Sequence, residues 1–270
     1  MIDRLTFWKS NPPTVSVVRL SGAIAGGGRF GGAVLNDQST AGLIERAFKR
    51  GKPAAVALAI NSPGGSPTQS ALIAARIRRL ADETDTPVYA FCEDVAASGG
   101  YWLATAADHI YADDNSILGS IGVISAGFGF PEFIAKYGIE RRVYTAGENK
   151  STLDPFKPEN PEDIERLKEL QLHIHENFKT QVRSRRGERL KEDTPELFSG
   201  RIWVGQQAVD VGLADGLGHL VPKMKEIFGD KTRFAVSAQK RSLFQRVGAP
   251  GAEELMDAIE TRAQYARFGL

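Results

Sequence analysis

The chain has 270 residues, 42% of them apolar, and its 34 Lys and Arg residues are balanced by 33 Asp and Glu residues. This apolar content suffices for a sizeable core, and the length suits one large α/β unit. The even charge balance argues against a nucleic acid or an acidic membrane surface as the main partner.

The first 54 residues predict a strand, a flexible loop and a helix. Residues 15–20 are an apolar strand pattern, residues 21–32 hold six glycines, and residues 41–50 have helical spacing. The glycines lack both the Gly-Lys-Ser/Thr of a phosphate-binding loop and the spacing of a dinucleotide fingerprint, which disfavours phosphate binding. The first ten residues have no apolar core of signal-peptide length, and no window holds the ~18 apolar residues of a membrane span.

Apolar strand patterns alternate with helical patterns between residues 55 and 107. The runs 55–60 and 87–91 predict strands, and residues 68–80 between them predict a helix. Because such alternation implies right-handed crossovers, we expect a mainly parallel sheet. Cys92 continues the second strand pattern and is expected to be a small buried hydrophobe. As the only cysteine it cannot form an intrachain disulfide, which favours a reducing compartment.

Each of these two strand patterns ends in a run of small residues. Asn61-Ser-Pro-Gly-Gly-Ser66 follows the first, and Asp94-Val-Ala-Ala-Ser98-Gly-Gly-Tyr101 follows the second and leads into a helical pattern. A serine between small residues at a strand-to-helix junction has the geometry of an acyl-transfer nucleophile, so Ser98 is the candidate. Gly65 and Gly99 are candidate oxyanion donors, because glycine lets backbone N–H groups approach a substrate closely. Turn geometry alone also explains these two glycines.

The second half of the chain is dominated by one long helical pattern. Residues 140–144 predict a strand, and Asn160 and Pro161 then suit the N-cap and first position of a helix over about 161–186. The basic run 183–191 is interpreted as a solvated helix end. Core packing is the favoured role of the apolar stripe on this helix and a subunit contact is the alternative; its residues are Ile164, Leu167, Leu170, Ile174, Phe178 and Val182.

The histidines favour neither a Ser-His-Asp triad nor a metal site. His173 and His175 are two positions apart on the long helix, so they point to different faces, whereas a metal pair needs a spacing of three or four. His109 lies at the apparent start of a strand, and His219 is the fourth histidine; the sequence holds one cysteine and no His-Glu-x-x-His motif. We therefore expect structural roles for all four histidines, no metal and no cofactor.

Three motifs together resemble the signal peptide peptidase SppA family of Ser–Lys proteases. They are the runs at Asn61 and Ser98 and the later Gly147-Glu-Asn-Lys150, and the resemblance extends over residues 55–236. It implies an α/β Clp-protease/crotonase-like core of repeated β-β-α units followed by a long helix. A single domain would comprise an N-terminal part (1–54), the catalytic core (55–236) and a helical tail (237–270), with the tail helix over 252–267.

The resemblance also assigns the remaining members of the site. Lys150 would take the proton of the nucleophile, and Ser120, in Leu118-Gly-Ser-Ile-Gly122, would orient the lysine amine. A lysine acts as a base only when it is neutral, which burial favours. The loop around Lys150 departs from the commonest family pattern, so Lys136 and Lys157 remain rivals. Taken alone, Lys150 is typical of a surface loop lysine and Ser120 of a turn serine.

The predicted function is that of a serine endopeptidase with a Ser–Lys dyad that cleaves peptides or unfolded segments, signal-peptide-like or other. The resemblance implies a ring-shaped homo-oligomer, with eight copies as the expected number. We expect a cytoplasmic protein, with peripheral membrane contact left open and no nucleic-acid partner. Two alternatives remain: a crotonase-like acyl-CoA hydrolase or isomerase, and a non-catalytic scaffold of the same fold.

Overall fold

The fold was obtained as a computed structural model that describes residues 12–26, 34–147, 149–237 and 262–270. Predicted features at 27–32 and 252–261 lie outside the described residues. The strands are β1 (Thr14–Ser21), β2 (Ala55–Ser62), β3 (Val88–Ala97), β4 (His109–Ala112), β5 (Ile117–Gly119), β6 (Ile202–Val204), β7 (Gly216–Leu217) and β8 (Arg233–Ser237). The helices are α1 (Asp37–Lys49), α2 (Pro67–Thr84), α3 (Gly99–Ala104), α4 (Pro131–Lys136), α5 (Pro161–Arg186), α6 (Gln206–Asp210) and α7 (Leu220–Phe228), and residues 262–266 are also helical.

The described strands form one sheet in the order β6-β5-β3-β2-β1-β8, with β4 and β7 off this path. Pairing is parallel except between β5 and β6, so the predicted, mainly parallel sheet is confirmed. β2 and β3 pair side by side up to a register shift near their carboxyl ends. This pairing brings the small-residue runs that follow the two strands to the same edge of the sheet, where α/β proteins commonly place their sites.

Both faces of the sheet are covered by helices. The inner strands are buried on both sides and therefore read as continuous apolar runs rather than alternating ones. α1 and α2 cover one face, and Met224 of α7 packs with Tyr89 and Phe91 on the other. Cys92 is buried as predicted, and desolvation raises the pKa of its thiol to about 12, so it is an inert structural thiol.

The long helix α5 has the predicted bounds, and the Asn160 side chain accepts a hydrogen bond from the backbone N–H of Glu162. Its apolar stripe is only partly core. Phe178 and Val182 are buried, whereas Leu170 is 57% exposed and the stripe residues N-terminal to it are half-buried. The amino-terminal half of α5 therefore leaves an apolar face without cover in the described part of the chain.

Two sequence predictions were wrong in this half of the chain. Residues 140–144 form no strand, because they lie in an exposed segment and no described strand pairs with them. The basic run 183–191 is not simply a solvated helix end. Arg186 is 1% exposed and donates to the carbonyl of Gly212 and to both oxygens of Asp215, at 2.8–3.0 Å.

Asp215 joins the end of α5 to the sheet, since it also accepts from the backbone N–H of Ile110 at 2.7 Å. Burial alone would raise the pKa of Asp215, but the hydrogen bonds and charge of Arg186 outweigh it and lower the pKa below its usual value. An Asp whose folded-state pKa is depressed stabilises the protein above its unfolded-state pKa of ~3.9. That contribution is lost as the pH falls through the lower folded-state pKa.

Replacing Asp215 with asparagine is expected to lower the free energy of unfolding by about 3–5 kcal/mol, because Arg186 is left buried without a counter-charge. Urea unfolding at neutral pH measures this loss. Glu192→Gln is the control, since it breaks an exposed ion pair with Arg183 and should cost no more than ~1 kcal/mol. Equal midpoints for the two variants would contradict the assignment.

Candidate active site

Ser98 occupies a strained turn between β3 and α3. Its φ of 52° lies in the left-handed region, which costs a non-glycine residue on the order of 1–3 kcal/mol. The turn is held by two backbone hydrogen bonds: the Ser98 N–H donates to the carbonyl of Gly119 at 2.8 Å, and the Ser98 carbonyl accepts from Trp102 at 3.0 Å. The side chain is half-buried, and its hydroxyl makes no hydrogen bond to another described residue. Such a sharp strand-to-helix turn presents a serine hydroxyl at the edge of a sheet.

The two candidate oxyanion donors lie beside each other next to Ser98. A Cβ placed on Gly99 would be 3.3 Å from the nitrogen of Gly65, and it would overlap the hydroxyl of Ser70. Gly65 has a φ of 135°, and a side chain there would overlap the carbonyl of Ile24. Within the described residues neither glycine N–H donates a hydrogen bond, so both donors are available.

Gly64 is a site residue that the sequence reasoning missed. Its φ is 99°, and a Cβ there would lie 2.7 Å from the Cβ of Ser98 and from the nitrogen of Gly99. Only glycine therefore allows the β2 loop to pack directly on the nucleophile turn. The glycine pair after Pro63 indicated a close backbone contact in this loop. The sequence could not show which of the two glycines packs against Ser98.

Ser120 lies next to Ser98, at the end of the neighbouring strand of the sheet. β3 pairs with β5 in a register that sets Ala97 opposite Gly119, and Ser98 and Ser120 follow these two residues. Ser120 also has a positive φ, of 50°, and its N–H donates to the carbonyl of Arg201 at 2.8 Å. The structure thus places the predicted nucleophile and the predicted orienting serine at neighbouring strand ends.

Lys150 lies on residues 123–160, which we call the arm. It is exposed, follows a turn at Gly147, and makes no hydrogen bond or ion pair with Ser98 or Ser120 in the described structure. Its rivals Lys136 and Lys157 are exposed on the same arm, and Lys157 donates to the hydroxyl of Ser151 at 3.1 Å. The chain as described therefore brings the serines and glycines of the predicted site together, but not a lysine.

The arm exposes a large apolar surface. Phe128 is 83% exposed and Tyr144 is 91% exposed, and the arm adds the apolar residues Ile124, Phe130, Phe133, Tyr137, Ile139, Leu153 and Phe156. Its own contacts are local, such as the ring contact of Phe130 with Phe156 and a hydrogen bond from the Phe130 N–H to the Pro155 carbonyl. A surface of this kind marks an interaction site more often than a solvated loop.

The described C-terminal residues contact the chain at the edge of the candidate site. The hydroxyl of Tyr265 donates to the carbonyl of Asn61 at 2.6 Å, directly before the loop that carries Gly64 and Gly65. Burial raises the pKa of this tyrosine. This contact could not be predicted from the sequence, because the pattern of a charged terminal helix does not indicate where the helix packs.

Comparison with known proteins identifies the family. The model of peptidase family S49 matches residues 81–227, more than half of the chain. The chain belongs to peptidase family S49. It is 34% identical over 62% of its length to the chloroplastic serine protease SPPA of Arabidopsis thaliana, and it spans 24% of that protein. The resemblance to SppA-like serine peptidases predicted from the three motifs is thereby confirmed.

Two further matches are a relative that is similar over most of the chain and a solved structure with a similar fold. The chain is 49% identical, over 95% of its length, to a Brucella melitensis protein named Na(+)/H(+) antiporter NhaA, and spans 37% of it. A solved membrane-bound stomatin-specific protease, 1510-N, is 14% identical and superposes with a TM-score of 0.53 over 85% of this chain and 99% of its own. This likeness confirms the predicted α/β, Clp-protease-like fold class. No helix in the described ranges is both long and apolar enough to span a membrane.

Proposed function

We propose that this serine peptidase is an endopeptidase that cuts peptides or unfolded protein segments with Ser98 as nucleophile and Lys150 as base. The observation that carries the proposal is the strained turn at Ser98, beside two backbone N–H groups that donate to no described residue. A serine hydroxyl with no described hydrogen-bond partner, next to two backbone N–H donors, is the arrangement that acyl transfer requires.

Each step then has a named group. The neutral amine of Lys150 takes the proton of the Ser98 hydroxyl as its oxygen attacks the peptide carbonyl. The N–H groups of Gly65 and Gly99 stabilise the oxyanion, and Ser120 orients the amine. Lys150 returns the proton to the departing nitrogen as the C–N bond breaks. A water molecule, activated by the same amine, then hydrolyses the acyl-enzyme and frees Ser98.

A fluorophosphonate probe tests the nucleophile directly, because it reacts covalently with activated serine hydroxyls. We expect peptide mass spectrometry to place the adduct on Ser98 and prior incubation with a peptide substrate to slow the reaction. Labelling of another serine, or of none, would contradict the assignment. Acyl-CoA turnover that survives Ser98→Ala would instead favour the crotonase-like alternative.

The proposed dyad requires the arm, and Lys150 on it, to be shielded from solvent. Lys150 is exposed, whereas a lysine base must be desolvated to be neutral. The apolar residues of the arm and the uncovered half of α5 supply a surface that a second copy of the chain would bury. We propose that head-to-tail contacts through these surfaces close a ring, with eight copies as the expected number, and enclose the active sites.

Light scattering is expected to give a mass that is a multiple of the 29.3 kDa chain. Replacing Phe128 and Tyr144 with aspartate should dissociate the assembly and lower peptidase activity, because both side chains lie on the proposed interface. Leu72→Asp is the matched control, since Leu72 is an exposed apolar residue on α2 and not part of the arm. A fully active monomer would refute the ring and the covered arm together.

We propose a cytoplasmic location with peripheral contact to a membrane. The buried single cysteine suits a reducing compartment, and the relative named as an antiporter places a closely similar sequence in a protein that acts at a membrane. Fractionation of cells into soluble, salt-extractable and detergent-extractable pools tests this, and recovery only in the detergent pool would contradict it.

A further inference from the structure

One histidine holds the loop that carries Ser120. The Nε2 atom of His175, on α5, lies 3.0 Å from the carbonyl oxygen of Ile121, the residue that follows Ser120. A carbonyl oxygen only accepts, so the imidazole must donate from Nε2. The ring of His175 is half-buried. The nearby His173 is exposed, and among the described residues its hydrogen bond is to the carbonyl of Glu169 in its own helix.

The loop that His175 contacts is strained. Gly119 and Ser120 have consecutive positive φ values of 94° and 50°, and such backbone persists only when its surroundings fix it. The Gly119 carbonyl accepts from the N–H of Ser98, and the Ser120 N–H donates to Arg201. Among the hydrogen bonds of the described residues, the His175 bond is the one in which a side chain holds the backbone of this loop.

The helix that carries His175 is itself fixed to the nucleophile helix. Phe178, one turn further along α5, stacks on Trp102 of α3 with ring centroids 4.9 Å apart, and Gln181 donates to the hydroxyl of Thr105 at 3.0 Å. α3 begins directly after Ser98. α5 therefore connects the turn of the nucleophile to the loop of Ser120, and His175 is the contact at the loop end.

We propose that His175 is a positioning residue for the peptidase reaction. Its hydrogen bond fixes the positions of Ser120 and of the first residues of the arm relative to Ser98. The proposal rests on the proposed function, because it assumes that Ser98 and a lysine brought by the arm react together. The arm starts at residue 123, two residues after the carbonyl that His175 holds. Loss of this hydrogen bond would let the loop relax and misplace the base with little effect on substrate contacts made elsewhere.

The test compares His175→Gln with His175→Asn. A glutamine amide reaches about as far as Nε2 and can still donate to Ile121, whereas the shorter asparagine amide cannot. We expect the Asn variant to lose on the order of 100-fold in kcat with little change in KM, since misplacement of a catalytic group by about 1 Å has effects of this size. The Gln variant should recover most of the rate. His173→Asn, on the exposed side of the same helix, should match wild type.

Thermal melting of all three variants separates positioning from stability, and His175→Leu adds a variant without any donor. Equal kcat values for folded Asn and Gln variants would overturn the proposal, as would a Leu variant with the wild-type rate. A failure of the proposed function has a different signature: wild type and His173→Asn would then also lack peptidase activity and probe labelling at Ser98.

Discussion

Ser98→Ala is expected to abolish peptide hydrolysis, with a loss of ~10⁴-fold or more, because it removes the nucleophile of a covalent mechanism. The substitution keeps the Cβ and all backbone hydrogen bonds of the turn, so the fold should survive. Hydrolysis of a fluorogenic peptide by the purified variant measures the loss, and circular dichroism verifies the fold.

Ser184→Ala is the matched control for this experiment. Ser184 is exposed on α5, and among the described residues its hydroxyl bonds only the Gln181 carbonyl of the same helix. This variant should retain the wild-type rate. If Ser98→Ala hydrolyses peptides within about tenfold of wild type, the remaining activity is too high for a missing nucleophile, and the assignment of Ser98 fails.

Lys150→Arg is expected to be as damaging as Lys150→Ala. Arginine keeps the positive charge and much of the length, but it stays protonated in proteins and cannot accept the proton of Ser98. A role of Lys150 in substrate attraction alone would instead let arginine retain activity. Peptide hydrolysis by the two variants, at matched oligomeric state, therefore distinguishes a base from a charge.

The rival lysines provide the controls for this prediction. Lys136→Arg and Lys157→Arg change exposed lysines on the same arm and should leave activity close to that of wild type. A loss at either position that equals the loss at Lys150 would transfer the role of base to that residue.

Local pattern predicted the parts of the fold that depend on nearby residues. The buried strands β2 and β3 followed from apolar runs, and the bounds of α5 followed from its N-cap and helical period. The strand expected at 140–144 failed because a strand needs a partner, and pairing is a property of the tertiary structure. The burial of Arg186 was missed for the same reason, since Asp215 is distant in sequence.

In the candidate site, too, some residues could be predicted from local pattern and others depend on tertiary structure. Small residues at a strand-to-helix junction indicated Ser98, Gly65 and Gly99 directly. The position of Ser120 beside Ser98 depends on the register of β3 and β5, which the sequence does not display. The approach of Lys150 depends on what covers the arm, and no pattern within one chain specifies that surface.

The proposed mechanism requires Ser98 and Lys150 to react as a pair. A crystal structure of the assembled protein, with a peptide aldehyde or phosphonate bound, would show this in one distance. We predict that the Ser98 oxygen and the Lys150 amine nitrogen lie within hydrogen-bond reach, about 2.6–3.2 Å, with the inhibitor oxygen against the N–H groups of Gly65 and Gly99. An assembled, inhibitor-bound structure in which Lys150 still points into solvent, with another group next to Ser98, would contradict it.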